Sequence, residues 1–163
     1  HVHADQLSGS GASGLAARHR SASAEHLEMI SDHDIAALAQ SGTVANLLPG
    51  AWLQTGCGRK PPVDKLRAAG VRLGVASDLN PGSSYLTDPI LAASLAVSCF
   101  GLTVDEALAG ITQHAARVVG DPKRGTLLPG SQSSAWLLDV PGPAALFQRL
   151  GAPVGGTLYG GER

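Results

Sequence analysis

Three short stretches of this 163-residue chain end in residues that can do chemistry. Val2 precedes His3, the segment Ser23-Ala24-Glu25-His26-Leu27 carries His26, and Val71-Arg72-Leu73-Gly74-Val75-Ala76 runs into Ser77-Asp78-Leu79-Asn80-Pro81-Gly82-Ser83-Ser84. The last of these places a carboxylate, an amide, a proline turn, a glycine and two hydroxyls just past a buried strand. Strand ends are rigid and the loops beyond them are open to substrate, so α/β enzymes carry their chemistry there. Asp78 is costly to bury unless it meets a metal or a hydrogen-bond network. The competing reading is an Asx-type turn, in which Asp78 or Asn80 bonds its own backbone.

Two imidazoles and a carboxylate at three strand ends suit one Zn or Fe ion with a position left open for water. In a barrel of parallel strands such ends meet at one mouth. A metal there would acidify its water, and Asp78 could take the proton. His1 and His3 form an H-x-H pair with both rings on one strand face, but His1 opens the chain and is not taken as a ligand. His19, between Arg18 and Arg20, reads as solvated helix surface; His33 and His114 read as structural or surface residues. Cys57 needs a paired histidine to act as a nucleophile, and none lies near it in sequence. Gly56-Cys57-Gly58 lacks the Lys-Ser/Thr of a phosphate-binding loop.

The elements that must position these groups alternate between strand and helix. Val2 and its neighbours read as a strand end, followed by a Gly/Ser-rich turn (8–13) and a helical stretch over 14–19. After the strand at 23–27, Ser31 caps a helix with Asp34 at capping-box spacing and an Ile35, Leu38, Ala39 stripe. Thr43–Leu48 is a strand closed by Pro49-Gly50, and 51–60 reads as a loop. Pro62 starts a helix through Leu66 and Ala69 with Gly70 as C-cap. After the strand at 71–76, helices are expected over about 89–100 and 104–118, the second capped by Thr103 with Glu106. Strand–helix units of this kind argue for a parallel α/β arrangement. The tail reads as short strands at 125–130, 135–140 and 156–160 joined by Gly/Pro turns.

A net charge of -1 and a charged fraction of 15% leave no electrostatic footprint for nucleic acid or an anionic membrane surface. No apolar run approaches the roughly 18 residues that span a bilayer. Cys57 and Cys99 read as reduced thiols of a cytoplasmic protein. The chain opens inside what reads as a strand and is expected to be the C-terminal part of a longer protein.

His3-Ala4-Asp5-Gln6-Leu7-Ser8, Ala24-Glu25-His26-Leu27-Glu28, Thr43–Ala51 and Ala76–Ser84 together resemble the imidazolonepropionase family of metal-dependent amidohydrolases. The likeness continues through Leu102–Thr112 and Ala115-Ala116-Arg117 and covers nearly the whole chain in order. It implies hydrolysis of 4-imidazolone-5-propanoate to N-formimidoyl-L-glutamate, in histidine degradation, with one Zn or Fe ion. The fold it implies is strands five to eight of a (β/α)8 barrel over 1–122, followed by part of a small β-sandwich over 123–163. His3 and Asp78 would bind the metal, Asp78 would double as proton acceptor, and His26 would steady the oxyanion. Gln6, Asn80, Gly82 and Ser83 match substrate-holding positions. A small-molecule substrate and a homodimer are expected, with neither nucleic acid nor membrane as partner.

The departures are equally specific. The first-strand H-x-H and the Arg, Tyr and His that hold the substrate propionate have no counterpart here. The loop at 52–60 differs, and Ser131-Gln132-Ser133-Ser134-Ala135 replaces a Lys/Arg-Ala-Asp turn. Another amidohydrolase, such as a deaminase, is the neighbouring alternative; a non-catalytic half-barrel with open strand edges is the other. For the chain by itself, weak metal binding and negligible activity are expected.

Overall fold

The computed structural model describes residues 1–132 and 134–160. Ser133 of the polar turn, and 161–163 at the end of the expected appendage, lie outside the described residues. Four strands, β1 (Val2–Ala4), β2 (Ser23–His26), β3 (Val44–Leu47) and β4 (Leu73–Val75), form one parallel sheet in chain order. Helices α1 (Ala12–Arg18), α2 (Asp32–Ser41), α3 (Pro49–Thr55) and α4 (Val63–Ala68) lie between successive strands. After β4 come α5 (Pro89–Leu95), a π-helical turn (Ala96–Phe100), α6 (Val104–Ile111) and α7 (Gln113–Val118).

The register separates the two faces of the sheet. Val2, Ala24, Ala45 and Leu73 share one row, and His3, Glu25, Asn46 and Gly74 share the next. Successive residues point to opposite faces, so the first row and Leu47 and Val75 turn towards the helices. There they join Leu38, Leu66, Ala92, Ala96 and Ala107 in the buried core. Each fully buried leucine contributes on the order of 2 kcal/mol by leaving water. The approach is close: a Cβ on Gly110 of α6 would lie 2.9 Å from Val75 Cγ2. The polar row turns the other way, onto the face that carries the site.

The expected Ser31 and Thr103 caps form, whereas α4 is C-capped by Ala69, one residue before the expected Gly70. Ser31 accepts from the Asp34 amide, and Thr103 and Glu106 close a reciprocal capping box. The strand expected at 71–76 is shorter, ending at Val75. Other expectations are corrected. The segment read as loop from Ala51 begins inside α3, whose first residue is Pro49, a fixed φ suited to the first helical position. The single helix expected over 104–118 breaks at Thr112 (φ -121, ψ -95), whose hydroxyl donates back to the Leu108 carbonyl at 2.7 Å. The bend lets His114 Nδ1 donate to the Leu73 carbonyl at 2.8 Å. It also seats Gly125 (φ +78), where a Cβ would lie 2.6 Å from the Thr112 carbonyl.

The expected strand over 125–130 is therefore turn and loop. Among the described residues the β structure of the tail is one antiparallel ribbon, β5 (Ser134–Leu138) with β6 (Gly156–Gly160), which pairs Trp136 with Leu158. A short helix, α8 (Pro143–Phe147), stands where a Gly/Pro turn was expected, and it buries Leu146 and Phe147 in the same core as the sheet helices.

Candidate active site

The site lies beyond the C-terminal ends of β1, β2 and β4. His3 stands on the inward row of β1, beside Glu25 of β2. Alternation along β2 would send His26 to the helix side with Ala4, its register partner. The backbone prevents this: His26 takes φ +78 and Leu27 φ +76, a left-handed pair that non-glycine residues adopt only where the surroundings enforce it. Leu27 donates to the Ala4 carbonyl and Met29 to the Asp5 carbonyl, tying the turn to the end of β1. The result is an imidazole whose ring centroid lies 4.2 Å from that of His3. Its Nε2 is 4.0 Å from Asp78 Oδ2.

Burial pushes His26 down to about 4, helped by the positive charge His3 can carry beside it. Near neutral pH His26 is therefore an uncharged imidazole, and its Nδ1 is buried without a hydrogen-bond partner among the described residues. Burial pushes the Asp78 carboxyl in the opposite direction, above its usual value, against the pull of His3. Uncharged imidazole beside a carboxylate with raised proton affinity is a pairing suited to proton transfer.

Asp5 anchors the β1 end. It is 3% exposed, at φ +49, and its carboxylate accepts from Ser10 N (2.8 Å), Ser10 Oγ (2.9 Å), Gly11 N (2.9 Å), Ser13 N (3.1 Å) and Ser13 Oγ. Although burial opposes ionisation, these donors hold the carboxyl below its usual value. Gln6 follows, lining a recess of about 200 Å³ with His3, Asp5, Leu7, Ser8 and Ser10.

On the β4 side the two readings of the sequence coexist. Asn80 is a turn residue: its Nδ2 donates to the Asp78 carbonyl (2.7 Å) and to Ser83 Oγ (3.1 Å), and its Oδ1 accepts from the Gly82 and Ser83 amides (2.8 Å each). Its amide is thus engaged within the loop, whereas exposed Gly82 presents bare backbone. Glu25 and Asn46 were not singled out from the sequence, although they share the His3 row; two-residue alternation from that histidine is the signal that finds them. Glu25 accepts from the Val2 amide at 2.8 Å and so supports β1 at the sheet edge. His1 Nδ1 lies 2.8 Å from Ser23 Oγ and 3.4 Å from Glu25 Oε1.

The donors of His3 and Asp78 suit Zn or Fe in kind. They fall short in number, because catalytic sites of this type use three or more protein ligands. Among the described residues no three His, Cys, Asp or Glu side chains converge to hold a metal ion. No helix among them is long and apolar enough to cross a membrane.

Solved structures share the fold of much of this chain. An amidohydrolase aligns with 82% of this chain at TM-score 0.62 and 21% identity, covering 36% of that protein. A zinc-bound adenosine deaminase from Xanthomonas campestris aligns with 68% at TM-score 0.59 and 22% identity, covering 27% of its own chain. Guanine deaminase from E. coli gives TM-score 0.58 at 20% identity over 68% of this chain. At such identities the likeness establishes the fold alone.

No family model matches the chain. Among curated proteins it is homologous to the imidazolonepropionases. That of Cereibacter sphaeroides is 48% identical over 162 residues, 99% of this chain and 41% of the relative. That of Paracoccus denitrificans is 44% identical over 99% of this chain, and that of Xanthomonas axonopodis pv. citri 45% over 92%. The chain thus spans about two fifths of the length of the curated relatives it matches.

Proposed function

We propose that this chain is the C-terminal catalytic part of an imidazolonepropionase, supplying strands five to eight of the barrel over 1–122. The whole protein would hydrolyse 4-imidazolone-5-propanoate to N-formimidoyl-L-glutamate. The observation that carries this reading is the meeting of His3, His26 and Asp78 at one sheet face, in a chain homologous to that family over 99% of its length.

His3 and Asp78 would hold a Zn or Fe ion together with ligands from the rest of the barrel, and such an ion supplies Lewis acidity that makes water a nucleophile at neutral pH. His26, uncharged at neutral pH, donates a hydrogen bond from Nε2 to the oxygen that gains charge as the ring carbonyl is attacked. Asp78, its proton affinity raised by burial, accepts the proton released on attack and returns it to the departing ring nitrogen. Gln6 in its recess and the Gly82 and Ser83 edge of the loop hold the substrate, with Asn80 shaping that edge from inside. Residues 123–163 form the appendage, and the protein works as a cytoplasmic homodimer.

The deaminases among the structural neighbours favour a second reading, hydrolysis of an amino-heterocycle. Substrate profiling of the chain extended at its N-terminus by the matching part of the Cereibacter relative separates the two. Turnover of imidazolone propionate without release of ammonia from aminopurines supports the first. Turnover of an amino-heterocycle alone sinks it, and turnover of neither favours the non-catalytic half-barrel.

A further inference from the structure

The loop that carries Asp78 is fastened from behind by one buried residue. Ser84 is 1% exposed. Its hydroxyl donates to the Ser77 carbonyl at 2.6 Å, and its own carbonyl accepts from the Asn80 amide at 2.8 Å. The two bonds straddle Asp78, one fixing the residue before it and the other the residue two beyond, and Asn80 and Ser84 form an isolated antiparallel bridge. Between these fixed points Asp78 takes φ +52, a left-handed backbone that persists only where its surroundings over-determine it.

Behind Ser84 stands the first turn of α3. A Cβ on Gly50 would lie 2.9 Å from Ser84 Oγ, 2.9 Å from Leu86 Cδ2 and 3.3 Å from Leu86 Cβ. Both neighbours belong to the segment following Asp78, so a larger residue at position 50 forces the Ser84 and Leu86 side chains to shift. Gly50 sits inside a helix, at φ that any residue could adopt, so its space requirement comes from Ser84 and Leu86. A buried hydroxyl with a single carbonyl acceptor against a close-packed glycine has little room to relax.

We propose that Ser84, seated on Gly50, is the positioning residue for Asp78: the latch sets where the carboxylate lies relative to His26. Ser84 acts through the backbone on either side of Asp78 and touches no reacting group. Its functional weight rests on the reading of Asp78 as proton acceptor and metal ligand, but the latch itself can be tested without any catalysis.

The test is site-resolved amide hydrogen exchange on the full chain and on Ser84→Ala, Ser84→Cys and Gly50→Ala. The ¹⁵N shift of His26 Nε2 and the ¹³C shift of the Asp78 carboxyl report the site in the same samples. In Ser84→Ala the Asn80, Gly82 and Ser83 amides are expected to exchange at least about tenfold faster, while β4 amides stay within about twofold of the parent. The His26 and Asp78 shifts move with the loop. Ser84→Cys, which keeps a weak donor of similar size, falls between the two, and Gly50→Ala reproduces the loop acceleration with the hydroxyl intact. A merely structural role predicts instead equal acceleration in loop and strand with unmoved His26 and Asp78 shifts, and that result overturns the proposal. So do unchanged loop amides in both Ser84→Ala and Gly50→Ala. Either failure leaves the hydrolase reading standing, and absence of turnover in the extended protein leaves the latch standing.

Discussion

Two buried carboxyl groups flank the β1–β2 end of the site and have opposite fates. Asp5 and Glu28 are 3% and 2% exposed, yet Asp5 gathers donors from three residues while neither oxygen of Glu28 has a partner among the described residues. Asp5 is held ionised below its usual value; burial pushes Glu28 up to about 7. The difference shows that depth alone does not decide the charge of a buried acid. The donors aimed at the carboxylate do: the Ser10 and Ser13 hydroxyls and amides outweigh burial at Asp5, while at Glu28 burial outweighs what its own backbone offers.

The largest effect should come from destroying the satisfied member. Asp5→Ala strips the loop at 10–13 of its acceptor and leaves buried Ser13 without its partner, so denaturant unfolding should show a loss of about 4 kcal/mol. Because Asp5 is ionised more readily when folded, its contribution is present above pH 3.8 and fades as pH falls through its lowered value. The unsatisfied member should behave in reverse. Between pH 4.5 and about 7 the unfolded chain gives up the Glu28 proton while the folded chain keeps it, so stability falls as pH rises through that window. Glu28→Gln should therefore raise stability at pH 8 by about 3 kcal/mol, with the gain vanishing near pH 4. Equal gains at both pH values would mean that folding does not raise the proton affinity of Glu28. The smallest effect belongs to an acid that is not buried. Asp32, paired with Lys65 at 2.6 Å with both side chains largely exposed, should lose no more than about 0.5 kcal/mol on change to Asn.

The same contrast explains what could be read from the sequence. Motifs whose meaning is local were legible: the Thr103–Glu106 capping box, the Ser31 cap, the strand positions of His3 and His26, and the Asn80 turn. The Pro49 start and Gly56 end of α3 were equally local signals, obscured by the Gly/Pro-rich run that follows. Features decided by non-adjacent contacts were not legible. The break at Thr112 depends on Leu73 and Gly125, the reorientation of His26 on backbone bonds to β1, and the burial of Ser84 on Gly50. For the site, sequence named the three groups that meet but could not show that Asn80's amide is engaged within its own loop.

Whether Asp78 and His26 are the working pair of the proposed imidazolonepropionase is decided by product formation in the N-terminally extended protein carrying Asp78→Asn or His26→Ala. The parent should form N-formimidoyl-L-glutamate, either variant should lose at least about a hundredfold in kcat, and the double variant should lose no more. Product formation at the parent rate by Asp78→Asn would contradict that pairing.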